Sequence, residues 1–148
     1  MRITSLCLIV VFAAVVSACS QAENDLAEAR ERWERHGQGN YQFIWKQSCY
    51  CLVEAVQPIY ITVQANEIAS AVYVSDQQPV SDSVRSGLLT IDGLFDEIEE
   101  AIGRDPDHLA VDYDAELGYP RSISIDYRSG ISDDEYDYLV KDFAPLVR

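Results

Sequence analysis

Two thiols separated by one tyrosine, Cys49 and Cys51 in the stretch KQSCYC, are the side chains of this 148-residue sequence whose type and spacing most directly offer chemistry. Such a pair can close a disulfide, stay as two packed thiols, or serve a redox or metal-binding role. In a regular strand, residues two apart carry Cβ atoms about 6.6 Å apart, whereas a disulfide wants about 3.8 Å. Bond formation therefore requires the strand to end or bulge at Tyr50. Zinc would need two more ligands from elsewhere, with only His36, His108 and carboxylates to choose from. On every one of these readings the cysteines continue the aromatic face of Tyr41, Phe43 and Trp45, so packing is their default role.

Carboxylates are the other abundant reactive groups. There are 25 against 11 lysines and arginines, a net charge of −14, and between Asp92 and Asp137 stand 15 acids with only Arg104, Arg121 and Arg128. This excludes nucleic acid as a partner, because a duplex is bound by neutralising its phosphates with cations. The run DYDAELG places Asp112, Asp114 and Glu116 at alternate positions like the start of an EF-hand loop. Its glycine, however, stands seventh instead of sixth, and no glutamate follows at the twelfth place. The simpler reading is a strand end turning through AELGYP. With so many acids, some pair always looks like a catalytic dyad, and the nucleophile-elbow, zinc-protease and phosphate-loop motifs are missing. The expectation is a non-enzyme without a cofactor, whose acidic surface keeps it soluble or meets a basic partner or calcium.

The elements that hold these residues follow from hydrophobic period. A first helix reads DLAEARERWERHG, with Asp25 and Glu28 at capping-box spacing, Leu26, Ala29 and Trp33 as its apolar stripe, and Gly37 and Gly39 as stop signals. Glu28 with Arg32, and Glu31 with Arg35, stand four apart on its solvated side. Three alternating segments follow: YQFIWKQ, PIYITVQ and, after a turn near Asn66, EIASAVYV. Ser75 to Ser86 reads as a loop. Ile91, Leu94, Phe95, Ile98 and Ile102 line a second helix that Thr90 caps, and HLAVDY, RSISIDY and EYDYLVKDF give three more strands. The fold class is α+β: an antiparallel sheet with two helices on one face, in the order α-β-β-β-α-β-β-β. Helix plus three strands occurs twice, with Pro58 and Pro120 opening the two middle strands, a pattern that admits an internal duplication as readily as two ordinary halves.

The first twenty residues, MRITSLCLIVVFAAVVSACS, have the layout of a secretory signal: one cation, an apolar run from Leu6 to Val16, then small residues. That run is shorter than the roughly 20 apolar residues a spanning helix needs. Val16, Ser17, Ala18 and Cys19 resemble a bacterial lipoprotein lipobox, which implies lipidation of Cys19 and removal of residues 1–18. A short tether, 19–24, and a single domain, 25–148, would remain. Cleavage would also take away Arg2 and bring the net charge to −15. Five extended steps from Cys19 to Asn24 reach about 17 Å. Ser20 after the lipid cysteine implies, by the same resemblance, the outer membrane in a Gram-negative host, and the outer face of the plasma membrane in a Gram-positive one.

The motifs YQFIWKQSCYC, TIDGLFDEIEEAI, YDAELGYPRSISIDY and DFAPL, in this order after a lipobox, resemble a bacterial lipoprotein family known only as a domain of unknown function. Similar proteins tend to show Asn-Gly in the second hairpin, where this chain has Asn66-Glu67. A two-residue type I′ turn, which needs positive φ at both central positions, is not expected there. The resemblance implies no activity. Two functions are carried forward: an envelope protein that binds another protein through its open sheet face or acidic side, and a thiol-dependent redox or metal-binding role at Cys49 and Cys51.

Overall fold

In the computed structural model, residues 7–36, 39–51, 53–130 and 133–146 are described, with side chains from residue 21 onward. The first six residues, Gly37 with its stop signal, and the side chain of Cys19 lie outside the described residues. Helix α1 spans Cys7–His36 and is followed by strands β1 (Tyr41–Ser48), β2 (Ile59–Gln64) and β3 (Glu67–Tyr73). A four-residue α2 (Asp82–Arg85) and α3 (Ile91–Gly103) lead to β4 (His108–Tyr113), β5 (Pro120–Asp126) and β6 (Glu135–Pro145). All six strands form one antiparallel sheet in the order β3-β2-β1-β6-β5-β4. The long-range step is β1 against β6, which joins two three-stranded meanders at Trp45↔Val140 and Gln47↔Tyr138.

Strand alternation sorts side chains between two faces. Tyr41, Phe43 and Trp45 of β1, Ile59, Ile61 and Val63 of β2, and Ile123 and Ile125 of β5 point inward and are buried. Helix α3 lays Ile91, Leu94, Phe95 and Ile98 onto them, and α1 adds Leu26, Ala29 and Trp33. Both helices thus cover the same face, as the one-sided alternation requires. Thr90 caps α3, its Oγ1 accepting from the Gly93 N–H at 3.1 Å.

The repeated order of elements is not a repeated structure. Carrying β1–β3 onto β4–β6 keeps their order across the sheet but reverses every strand direction. That is a rotation about an axis in the sheet plane, and it would send one helix to the opposite face. α1 and α3 share a face, so the two halves are chemically alike in period and geometrically distinct.

Three local expectations are corrected. Ser20 to Asn24 are helical within α1, where an extended tether was expected, and Asp25 therefore caps nothing. Gln, Ala and Glu are strong helix formers, and the Gln21 side-chain amide donates to Asp25 Oδ1 at 2.7 Å, one turn along. The stretch expected as a loop, Ser75 to Ser86, contains α2, capped by Ser81, and it buries Val80 and Val84 at the edge of the core. The β2–β3 hairpin turns on Ala65 and Asn66, at φ 52° and 64°, between the paired residues Gln64 and Glu67. The two-residue turn with positive φ thus exists one position before the Asn-Glu pair. Asn40 Oδ1 accepting from the Ala65 N–H (3.1 Å) and Gly39 O accepting from the Asn66 N–H (3.0 Å) hold it there.

Candidate functional site

At one end of the helical layer, α1 is locked down. The Trp33 indole N–H donates to Asp92 Oδ1 at 2.8 Å. Its ring meets Tyr41, Tyr119 and Phe143 edge-on, with centroids 5.4, 6.4 and 5.7 Å away. Tyr41 is buried, and its hydroxyl accepts from the Ile91 N–H at 3.0 Å, satisfying one of the orphan donors at the start of α3. Arg30 reaches from α1 to α3 and pairs with Asp96 (3.2 Å) and Glu99 (3.1 Å). Helical spacing within α1 points to Glu28–Arg32 and Glu31–Arg35; among the described residues the second forms, at 3.7 Å, the first does not, and the spacing carries no signal for the crossing pair.

Part of the acidic run does structural work. Asp112 grips Arg121 through both oxygens, each at 3.0 Å from a guanidinium nitrogen. Asp114 Oδ1 accepts from the N–H groups of Glu116 (3.0 Å) and Leu117 (2.8 Å), closing the turn between β4 and β5. Asp112 and Asp114 are thus engaged by Arg121 and by the turn amides while Glu116 is exposed, and among the described residues no metal-binding cluster of His, Cys, Asp or Glu forms. His36 ends α1 with Nδ1 3.0 Å from Arg32 O, and His108 opens β4 on the surface.

The cysteines sit at the opposite end of the sheet. β1 stops at Ser48, the Cys51 N–H donates to Cys49 O at 2.8 Å, and the chain reverses about Tyr50 in a three-residue γ-turn. Cys49 and Cys51 are joined as a disulfide with Cα atoms 5.2 Å apart. Packing is not their role: Cys49 is half-buried, Cys51 is exposed, and Tyr50 is 87% exposed. The turn takes the backbone off the aromatic face before the alternation can reach position 49. Beside it lies a cleft of about 180 Å³ lined by Ser48, Cys49, Tyr50, Glu135 and Asp137. Glu135 and Asp137 are neighbours on the outer side of β6, and among the described residues neither has an ion-pair partner.

Nearby, on the inner face, Glu97 of α3 is half-buried. Burial pushes its carboxyl above the ordinary range, the Glu100 charge adds to this, and the Tyr138 hydroxyl (3.5 Å) and Arg104 partly offset it. Arg104 in turn stacks over Tyr127 at 3.8 Å. Two further clefts, about 450 and 400 Å³, flank the first turns of α1 after residue 20, lined by Leu26, Arg30 and Ile102 on one side and by Ala22, Leu109 and Tyr113 on the other. The outer face of the sheet is left open by both helices. It carries Ile44, Tyr60 and Val72 in a row across β1, β2 and β3, all half-buried, with Leu139 beside Lys46. Serines and acids occupy it on the β4–β6 side.

These features define a two-layer α+β domain, helices on one face of the sheet, with the other sheet face bare and a disulfide-closed turn at one end. The chain belongs to the family of unknown function DUF6174, whose model matches residues 25–145. No curated protein and no solved structure matches it. Among the described residues no helix is long and apolar enough to cross a membrane.

Proposed function

We propose that this chain is an exported lipoprotein of the cell envelope, anchored through lipid on Cys19, whose body is a non-catalytic protein-binding module. The observation that carries the reading is the short apolar run Leu6 to Val16 leading through Val16-Ser17-Ala18 to Cys19. In support, α1 runs without a break from that region onto the body, where Leu26 and Ala29 are buried. Five helical steps from Cys19 to Asn24 rise only about 8 Å, so a lipid on Cys19 holds the body against its membrane. Two or three acyl chains make a stable anchor where one gives only marginal binding. The bare sheet face is the surface offered to a partner. Metabolic labelling with palmitate, followed by fractionation, tests the anchor. Wild-type protein is expected to carry label and pellet with membranes, and Cys19→Ala to lose the label and become soluble. A Cys19→Ala protein that stays membrane-bound after washing refutes the anchor.

A thiol-dependent role for Cys49 and Cys51 is the second reading, favoured by their place in an exposed turn. Intact mass with an alkylating agent is expected to show no added label before reduction and two after it; two alkylated cysteines before reduction would overturn the bond and leave free thiols for such a role.

A further inference from the structure

We infer that the sheet end bearing the Cys49–Cys51 turn docks a partner protein through a segment pairing a cationic with an apolar side chain, an inference that rests on the reading of the body as a binding module. Among the described residues, the exposed large hydrophobic side chains are Tyr50 (87%), Val53 (72%) and Val74. Single exposed hydrophobics scattered over a surface need no explanation. These three share one end: Tyr50 and Val53 stand on the loop between β1 and β2, and the Val74 N–H donates to Pro58 O at the base of that loop (3.0 Å). The disulfide closes the turn that presents Tyr50, so the ring is held outward before any partner arrives, which lowers the ordering cost of binding.

Charge selects the occupant. Glu135 and Asp137 stand two apart on the same side of β6, next to Tyr50, in the cleft of about 180 Å³. Like charges side by side on a sheet repel. Several acids of the helical layer and the β4 edge meet arginines, as Asp96 and Glu99 with Arg30, Glu100 with Arg104 and Asp112 with Arg121 show, whereas these two lie side by side against an exposed aromatic ring with no cation among the described residues between them. Lys46, on the same face but two register positions from Asp137, pairs with neither Glu135 nor Asp137. An arginine or lysine entering the cleft would relieve their repulsion and lay its charge over the exposed tyrosine ring. An anionic lipid surface would meet the same two carboxylates and be repelled, so the apolar tip belongs to a protein contact and not to membrane insertion.

The test uses the full chain purified in detergent and a fluorescent peptide alternating arginine and leucine, with its glutamate–leucine counterpart as the control probe. The arginine–leucine peptide is expected to bind. Tyr50→Ala, and separately Glu135→Gln with Asp137→Asn, should each weaken it by about tenfold. Glu28→Gln with Glu67→Gln removes the same charge elsewhere and should leave binding within about twofold. Equal weakening by that control pair reduces the effect to net charge and overturns the site, as does equal binding of the glutamate–leucine peptide. Tyr50-dependent binding of the Cys19→Ala chain to phosphatidylethanolamine–phosphatidylglycerol vesicles would assign the tip to lipid, and so also overturns it. The peptide assay does not depend on the lipid at Cys19, so failure of the anchor and failure of the site are read separately.

Discussion

The two ends of the helix-on-sheet layer are built on different principles. At the Trp33 end, three elements of the fold meet over aromatic rings, with side-chain hydrogen bonds from Trp33 to Asp92 and from the Ile91 N–H to Tyr41. At the other end, α1 leaves clefts on either side, Glu97 and Tyr138 share a long hydrogen bond, and the Cys49–Cys51 turn puts Tyr50 into solvent. One end spends its aromatic residues on closing the core. The other keeps one of them outside. A domain can hold its fold from one end and leave the other free for contact, and substitutions at the two ends should therefore differ in kind.

The largest effect is expected at Gly118. It sits at φ +84° in the β4–β5 turn, where α1 passes so closely that an added Cβ would collide with the Ala29 carbonyl oxygen and stand 2.8 Å from Arg32 Cβ. The clash is with backbone, which cannot swing away. Gly118→Ala should cost upward of about 3 kcal/mol in chemical denaturation. A loss below about 1 kcal/mol would show that the end is not locked at this point.

Tyr41→Phe comes next, because it leaves the buried Ile91 N–H without its acceptor, at about 1–3 kcal/mol. Buried tyrosines also make stability depend on alkaline pH. Burial raises the hydroxyl of Tyr41 above its ordinary value of 10.0, raises Tyr113 to about 12, and raises Tyr138 as well. The fold keeps these protons while the unfolded chain releases them, so their stabilisation is whole below pH 10.0 and falls as pH rises past it. Thermal melts across that range should fall less steeply in Tyr41→Phe than in the wild type.

Ala65 is a local strain at the locked end, a side chain with a Cβ at φ 52° in a two-residue hairpin turn. Ala65→Gly should raise stability by up to about 1 kcal/mol, since glycine takes the left-handed region without steric cost. Unchanged or lowered stability would mean the unfolded-state entropy of the new glycine cancels the gain.

At the loose end the effects shrink. Glu97 has its folded-state pKa raised, mainly by burial, so its favourable contribution is whole below its unfolded value and is lost as pH rises through the folded one. Glu97→Gln should flatten the pH dependence of stability above about pH 4.3, with a gain at neutral pH below about 1 kcal/mol after solvent screening. Smallest of all, Tyr50→Ala should change stability by less than about 0.5 kcal/mol, because an 87% exposed ring supports nothing in the fold. A larger loss would make Tyr50 a structural residue and end the contrast between the two ends.

Much of the fold was legible in local pattern. Alternation over YQFIWKQ, HLAVDY and EYDYLVKDF and the i, i+3, i+4 spacing from Ile91 to Ile102 yield the strands and α3 within a residue or two, because period is a property of neighbours along the chain. The requirement that β1 end before a Cys49–Cys51 bond could form was also a matter of reach between adjacent residues. Less legible was everything that depends on what arrives from a distance. The cysteines were expected to extend the aromatic face, and a γ-turn takes them off it. Asp25 and Glu28 matched a capping box, and the helix simply continues upstream of them, since a motif four residues long says nothing about the residues before it.

By itself, then, the sequence determined the element order, the one-sided hydrophobic face and the acidic surface, all of which follow from side-chain chemistry read at intervals of two, three or four. Long-range packing chose β6 as the partner of β1, set both helices on one face despite the reversed strand directions, and made Gly118 the point where α1 passes. It likewise decided that Tyr41 would satisfy the first donor of α3, fifty positions away. The physical reason is the same in each case. Period is set by backbone geometry within a few residues, whereas close approach and long-range pairing are set by which surfaces exclude water together once the chain has closed on itself.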